Sequence, residues 1–368
     1  MHILYYFNDY PTPMYRWQRA HIVDELKRRG IEVEILSPAR QESIDAANEA
    51  LLKRLRAGGV DLFMTPHTDR ELYPEALRAV RALGVPTMLI CFDDLVLPFA
   101  HDAIAPLFDL VWLTSRETQP HFEATGCNTI FLPYAANPYL ERCERETVAG
   151  VGFVGTPYGS RANMIAALTE SGVDVYCHYR RDEAAPAEPV SGPPPASRAD
   201  TLRAAKNLAR FPEGRRILLG AVKNKLLRAS LPESERLHAE SVVPPERLYT
   251  VYGRYALALS STATRNTGVL KRPLDIVNLR SFEIPMAGGV LLCRYTPELA
   301  GYFEPGREAL YYRDDAELAA MAREWLSDAR AADRAAIRAA ARERAVREHT
   351  WYNRFTAAFH ALGLSDSH

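Results

Sequence analysis

Val151-Gly152-Phe153-Val154-Gly155-Thr156-Pro157-Tyr158-Gly159-Ser160-Arg161 is the stretch on which the fold turns. An apolar run of strand length empties into glycines and hydroxyls, and a helix over 161–169 follows. That is how a parallel α/β unit begins. Its position gives it weight, because the residues before it already hold a full alternation of their own. Strands are expected at 2–7, 32–36, 61–65, 86–91, 110–114 and 129–132, with helices at 15–29, 44–57, 71–83 and 117–124. Gly30, Gly59, Gly84 and Gly126 each close a helix just ahead of the next strand, the usual place for a left-handed stop. The run at 151–155 therefore opens a second unit. After it come a strand at 173–176, a Pro/Ala-rich loop at 184–196 with no regular element, and a basic segment at 201–230. Alternation resumes with strands at 255–259, 290–293 and 308–312 and a helix at 281–287. Ala/Arg/Glu-rich helices over 315–348 and an amphipathic segment at 351–362 close the chain.

The bulk properties agree with two domains. The chain has 368 residues, 47% hydrophobic and 25% charged, long enough for two domains of roughly 150 to 200 residues. Lys and Arg number 45 against 46 Asp and Glu, a net charge of −1, without the basic excess that nucleic-acid coating needs. No apolar run reaches the roughly 18 residues of a membrane span. The first residues, MHILYYFNDYP, lack the basic start and small-residue cleavage site of a signal peptide. Five scattered cysteines with no CxxC pair suit a reducing compartment. A cytoplasmic protein is expected.

Parallel sheets place ligands outside the carboxyl ends of their strands, so the loops after strands carry the candidates. In Arg280-Ser281-Phe282-Glu283-Ile284-Pro285-Met286-Ala287-Gly288-Gly289, a short helix with a carboxylate ends at two glycines. Glu283 is a group able to accept ribose hydroxyls, and Arg280 one able to meet a phosphate with two parallel bonds. The plain alternative is an acid favoured by the helix dipole, followed by a Gly-Gly stop. The loop Gly155-Thr156-Pro157-Tyr158-Gly159-Ser160-Arg161 offers backbone N–H groups to an anion, although it is neither a Walker loop nor GxGxxG. Ser260-Ser261-Thr262-Ala263-Thr264-Arg265 follows another strand, with hydroxyls and an arginine suited to sugar or phosphate. Each of these loops also reads as an ordinary polar turn.

Gly152-Phe153-Val154-Gly155, Arg161, Arg280, Phe282-Glu283-Ile284-Pro285, Gly288-Gly289, Pro297-Glu298-Leu299, Phe303-Glu304-Pro305-Gly306, Tyr312-Arg313-Asp314 and Arg347-Glu348-His349-Thr350 together resemble the CgeB-like glycosyltransferases. These are relatives of the large retaining GT4-type group. The resemblance covers about 150–350 outside the basic insertion and is looser before it, at Phe92-Asp93-Asp94 and Leu132-Pro133-Tyr134. It implies a GT-B fold, with two Rossmann-like doubly wound α/β domains facing across a cleft. The expected boundaries are 1–148 for an acceptor domain and 149–345 for a nucleotide-sugar domain with an insertion at about 183–232. A C-terminal helical segment at 346–368 would return to the first domain.

On that resemblance the donor is a nucleotide sugar, uridine-linked, and the transfer needs no metal or other cofactor. Donor contacts fall to Gly155, Thr156, Tyr158, Arg161, Ser261, Thr262, Arg265, Asp275, Glu283 and Gly288. Asp275 stands eight residues before Glu283, where the GT4 pattern has a second glutamate. Arg280 stabilises the leaving phosphate, and an inverting reaction would also need a base, for which His67, Asp93 and Asp94 are placed after strands. Retention is the family expectation. Tyr10, Tyr15 and Trp17 make an aromatic acceptor wall or, alternatively, a staple for the first helix. The segment 201–230 has eight basic residues against Glu213 alone. It reads as a dock for an anionic partner (phospholipid, acidic carrier or phosphorylated acceptor) or as a solvated helix face. A non-catalytic relative that binds a nucleotide sugar, or a sugar-nucleotide epimerase of the same fold, remains the alternative.

Overall fold

The computed structural model describes residues 1–364 apart from 11, 98, 180–197, 228–229 and 265–266. The Pro/Ala-rich stretch at 184–196 and Arg265 therefore lie outside the described residues. Two compact units form, one from 1–133 with 351–368 and the other from 134–350.

In the first unit the strands are β1 His2–Tyr6, β2 Glu32–Leu36, β3 Leu62–Thr65, β4 Thr87–Cys91, β5 Leu110–Leu113 and β6 Thr129–Phe131. They form one sheet in the order β2-β1-β3-β4-β5-β6, with every pairing parallel. The fully apolar strands follow from this, since a parallel sheet is covered on both faces. Leu4, Phe63, Leu89 and Val111 point to one face, against Leu51, Leu77 and Val80 of the intervening helices. Trp112 faces Trp351 and Phe355 of the helix Trp351–Ala361, at ring distances of 6.0 and 5.2 Å. The expected helix at 15–29 runs from Pro13 to Arg28, with a π-helical turn at Arg19–Val23 in its middle.

The second unit contains β7 Val148–Val154, β8 Val175–His178, β9 Leu237–Glu240, β10 Tyr255–Ser260, β11 Leu291–Arg294 and β12 Leu310–Tyr312. The sheet order is β12-β11-β10-β7-β8-β9, again parallel throughout. Four helices matter below: α1 Ser160–Glu170, α2 Arg198–Leu208, α3 Pro212–Leu227 and α4 Leu279–Met286. The chain winds outward from β7 through β8 to β9, then returns to the other side of β7 with β10. The sheet thus reverses between β7 and β10, and at such a switch point the two flanking loops part and leave a crevice. Gly155 and Ser261 are the residues just past the ends of these two strands. Strand β9 was not expected, because Leu237-His238-Ala239-Glu240 is an edge strand with little apolar signal.

Candidate functional site

The crevice at the β7/β10 switch point is built from three chain segments. Gly155 leaves β7 with φ +132°, in the region where side chains are strained, and a Cβ there would stand 3.5 Å from Arg280 Nη1. The glycine therefore lets the guanidinium lie against bare backbone. Arg161 folds back over the same loop: its guanidinium covers the Tyr158 ring at 4.7 Å and donates to the Thr156 carbonyl at 3.2 Å. The sequence candidates Gly155, Thr156, Tyr158, Arg161 and Arg280 thus gather at one place.

The second segment is the end of β10. The Ser261 carbonyl accepts from Asn278 Nδ2 at 2.7 Å, which fixes the residue that opens α4. Thr262 Oγ1 donates to Asp275 at 2.7 Å, and backbone bonds between Thr262 and Ile276 and between Thr264 and Leu274 hold the two stretches together. Asp275 also receives Arg294 Nη2 on both oxygens, at 2.5 and 2.6 Å. Its carboxylate is committed to the wall of the crevice.

The third segment is α4. The first N–H groups of a helix lack intrahelical acceptors and carry the positive end of its dipole. Around this start, four buried polar atoms have no hydrogen-bond partner among the described residues: Ser260 Oγ, Asn278 Oδ1, Arg280 Nε and Ser281 Oγ. Leaving a buried polar atom unsatisfied costs ~1–3 kcal/mol, so four in one place mark a cradle shaped for something polar. Of these residues, sequence reasoning had singled out Arg280 and had placed Ser260 in a hydroxyl-bearing loop after a strand. Asn278 and Ser281 are unremarkable in sequence, and only their meeting at the switch point singles them out.

Glu283 lies in the second turn of α4, deeper than its place in the sequence suggested. It is 2% exposed, and the Tyr252 hydroxyl donates to it, which with burial drives the Tyr252 proton affinity well up. Gly288 departs from its expected role. Its φ of +73° and the bonds Gly288 N–Pro285 O and Gly289 N–Ile284 O make it the stop of α4, beside Arg142 and Arg342, away from the helix start that forms the cradle.

The first unit corrects several expectations. Trp17 is core, packed on His21, Phe92 and Trp351 at 5.2 to 6.1 Å, and so is not part of an exposed wall. Tyr10 and Tyr15 remain half-buried and pair with each other at 5.6 Å. His67 is buried against Tyr6, and burial together with His101 depresses its pKa to about 3. An imidazole that weak is a poor base near neutrality. Asp94 accepts from the Thr114 backbone and hydroxyl at 3.0 and 2.6 Å and from the Thr118 hydroxyl. Its carboxylate ties the β4 turn to the end of β5, and burial raises its pKa to about 6. Asp93 is exposed, with φ +52°. No helix among the described residues is long and apolar enough to cross a membrane.

Residues 198–360 match the family described as glycosyl transferase-like. No curated protein sequence matches the chain. Among solved structures, the chain is similar to Anabaena HepE in complex with UDP-glucose, at 14% identity and a TM-score of 0.55, covering 98% of this chain and 99% of that one. It is also similar to a glycosyltransferase from Rickettsia africae, at 9% identity, TM-score 0.59 and 99% of both chains. A third is an alpha-glucosyltransferase in complex with UDP, at 10% identity and TM-score 0.60, with 99% of this chain and 100% of that one covered. The structural likeness shows the GT-B fold. The family match gives the enzyme class, that of a glycosyltransferase.

Proposed function

We propose that the chain transfers a sugar from a uridine-linked nucleotide sugar to a hydroxyl or amine acceptor, with retention and without a resident metal. One observation carries this reading: the polar cradle at the β7/β10 switch point, where Arg280 Nε and three other buried polar atoms have no hydrogen-bond partner among the described residues and Gly155 lies against Arg280. A diphosphate fits the donors of the cradle in sign. It brings charge to a helix start and a guanidinium, and its oxygens accept from the hydroxyls of Ser260 and Ser281.

In this reading Arg280 and the start of α4 stabilise the negative charge that grows on the departing diphosphate. Arg161 follows the strand-end loop and supplies a second cation. Glu283 accepts the ribose hydroxyls beside the Tyr252 hydroxyl that already donates to it. Asp275, neutralised by Arg294, shapes the wall and leaves the reading of the sugar to other groups. Retention follows from the resemblance to the CgeB-like family, and the absence of an exposed, basic His67 agrees with it. Asp93 remains the exposed carboxylate among the residues proposed as bases.

The test is a thermal-shift series with UDP, other nucleoside diphosphates and UDP-sugars, run on the native chain and on Arg280→Gln. A bound ligand stabilises by ~2.7 kcal/mol at a hundred times its dissociation constant. UDP-sugars should raise the melting temperature of the native chain and should do so far less in Arg280→Gln. If no nucleotide stabilises the native chain, the reading fails. If a UDP-sugar binds but is neither transferred nor hydrolysed with any acceptor, the chain is a binding module and transfer is excluded.

A further inference from the structure

The α2–α3 pair turns two unlike faces outward and inward. Inward, Arg216 donates to the carbonyls of Arg272 and Pro273, and Lys223 Nζ donates to the Val269 carbonyl at 2.7 Å. Asn224 lies where a Cβ on Gly159 would sit, 2.7 Å away. This side of α3 braces the loops around the candidate cradle and accounts for part of the basic residues counted in 201–230.

Outward, α3 exposes Leu219, Val222 and Leu226 at 60, 59 and 77%, spaced three and four apart and so on one stripe. Leu227 beside them is 55% exposed, and Leu202 on α2 is 72%. Single exposed leucines are ordinary, but a run of this length on one helix face marks an interaction surface. Flanking it are exposed Arg215 and Lys225 on α3, Arg203 and Lys206 on α2, and Arg210 in the turn between them, with Glu213 the one acidic residue between 201 and 227. An apolar stripe bordered by arginine and lysine is the composition of a helix that lies in a membrane interface. A second copy of the chain meeting this face across a two-fold axis would set basic residues against basic residues.

We propose that α2–α3 docks on an anionic lipid surface, with Leu219, Val222 and Leu226 entering the acyl boundary and the flanking basic side chains meeting headgroup phosphates. The proposal is independent of the donor assignment, because it rests on the opposite side of α3.

The full chain is sedimented with phosphatidylcholine vesicles and with the same vesicles carrying phosphatidylglycerol, at low and at high salt. Binding is expected on the anionic vesicles only and is expected to weaken with salt. Leu219→Gln with Leu226→Gln should lower it at least about tenfold, and so should Lys206→Glu with Lys225→Glu. Folding of both variants is checked by their thermal transitions. All four side chains lie on the exposed face, so the transitions should match the native chain. Indifference of the native chain to phosphatidylglycerol overturns the proposal whatever the variants do. Full binding by the leucine variant also overturns it. So does a lipid-free dimer that the leucine variant dissolves, since that assigns the stripe to a second copy.

Discussion

Arg294 Nη2 holds Asp275 by both carboxylate oxygens, at 2.5 and 2.6 Å, while Thr262 donates to the same acid from the end of β10. The carboxylate eight residues before Glu283 is thereby a tie between the crevice wall and β11. Both side chains are about a quarter exposed, so the pair contributes on the order of 1 kcal/mol. Asp275→Asn should lower the melting temperature by ~2–4 °C and leave affinity for UDP within about threefold. A loss of UDP binding well beyond that, at unchanged stability, would show that Asp275 reaches the ligand itself.

Gly155→Ala probes the cradle from the backbone side. The new Cβ would stand 3.5 Å from Arg280 Nη1, an ordinary contact, so the penalty comes from holding alanine at φ +132°. Such strain costs ~1–3 kcal/mol. The loop can relieve it only by moving away from Arg280, which would cost nucleotide affinity. Titration of UDP by calorimetry should show at least about a tenfold weakening. Native-like affinity in a folded Gly155→Ala protein would mean that the ligand does not touch this loop.

The frame of the site was legible because parallel α/β sheets write their strands as apolar runs and their helix stops as glycines. The stretch 151–155 and the run at 255–259 were both recognised, and their adjacency at the switch point follows from the order in which the chain winds. What the sequence withheld was burial. Trp17 and His67 follow strands or loops just as ligand residues do, yet Trp17 packs on Trp351, far away in sequence, and His67 lies beneath Tyr6. Likewise Asn278 and Ser281 are common polar residues until the fold buries Ser260 Oγ, Asn278 Oδ1 and Ser281 Oγ together with no hydrogen-bond partner among the described residues. The basic run at 201–230 split in two only when α3 showed which charges face Val269, Arg272 and Pro273.

Acid should destabilise the first unit through His21 and His67. Burial depresses both pKa values to about 3, against an ordinary 6.5. The unfolded chain takes up these protons below about 6.5, whereas the folded chain resists until about 3, so stability is lost as pH falls through that window. Asp94 acts in the opposite sense. Its raised pKa of about 6 gives stability at low pH that is lost on going up through 6. At pH 5 each histidine costs ~2 kcal/mol and Asp94 returns ~1 kcal/mol, so the histidines win. The melting temperature should fall steadily from pH 7 to pH 5, and His67→Gln should flatten the slope. A curve unchanged over this range contradicts the buried neutral imidazoles.

Gly152 lies inside β7 and Gly155 just past its end, three residues apart, and replacing them should fail in different ways. A Cβ on Gly152 would lie 2.1 Å from Tyr255 Cδ2. The Tyr255 ring cannot yield easily, because Tyr176 stacks on it at 5.2 Å and its hydroxyl bonds His178 Nε2 at 2.7 Å. Gly152→Ala is therefore overpacking, worth ~1–3 kcal/mol, and should lower the melting temperature by several degrees. Gly152 lies within β7, before the crevice opens, so UDP affinity should stay within about twofold, unlike the Gly155 variant. Tyr255→Leu in the same chain frees the space and should recover part of the loss, which a double-mutant cycle measures directly. Additive losses in that cycle would mean that the ring and the strand do not press on each other.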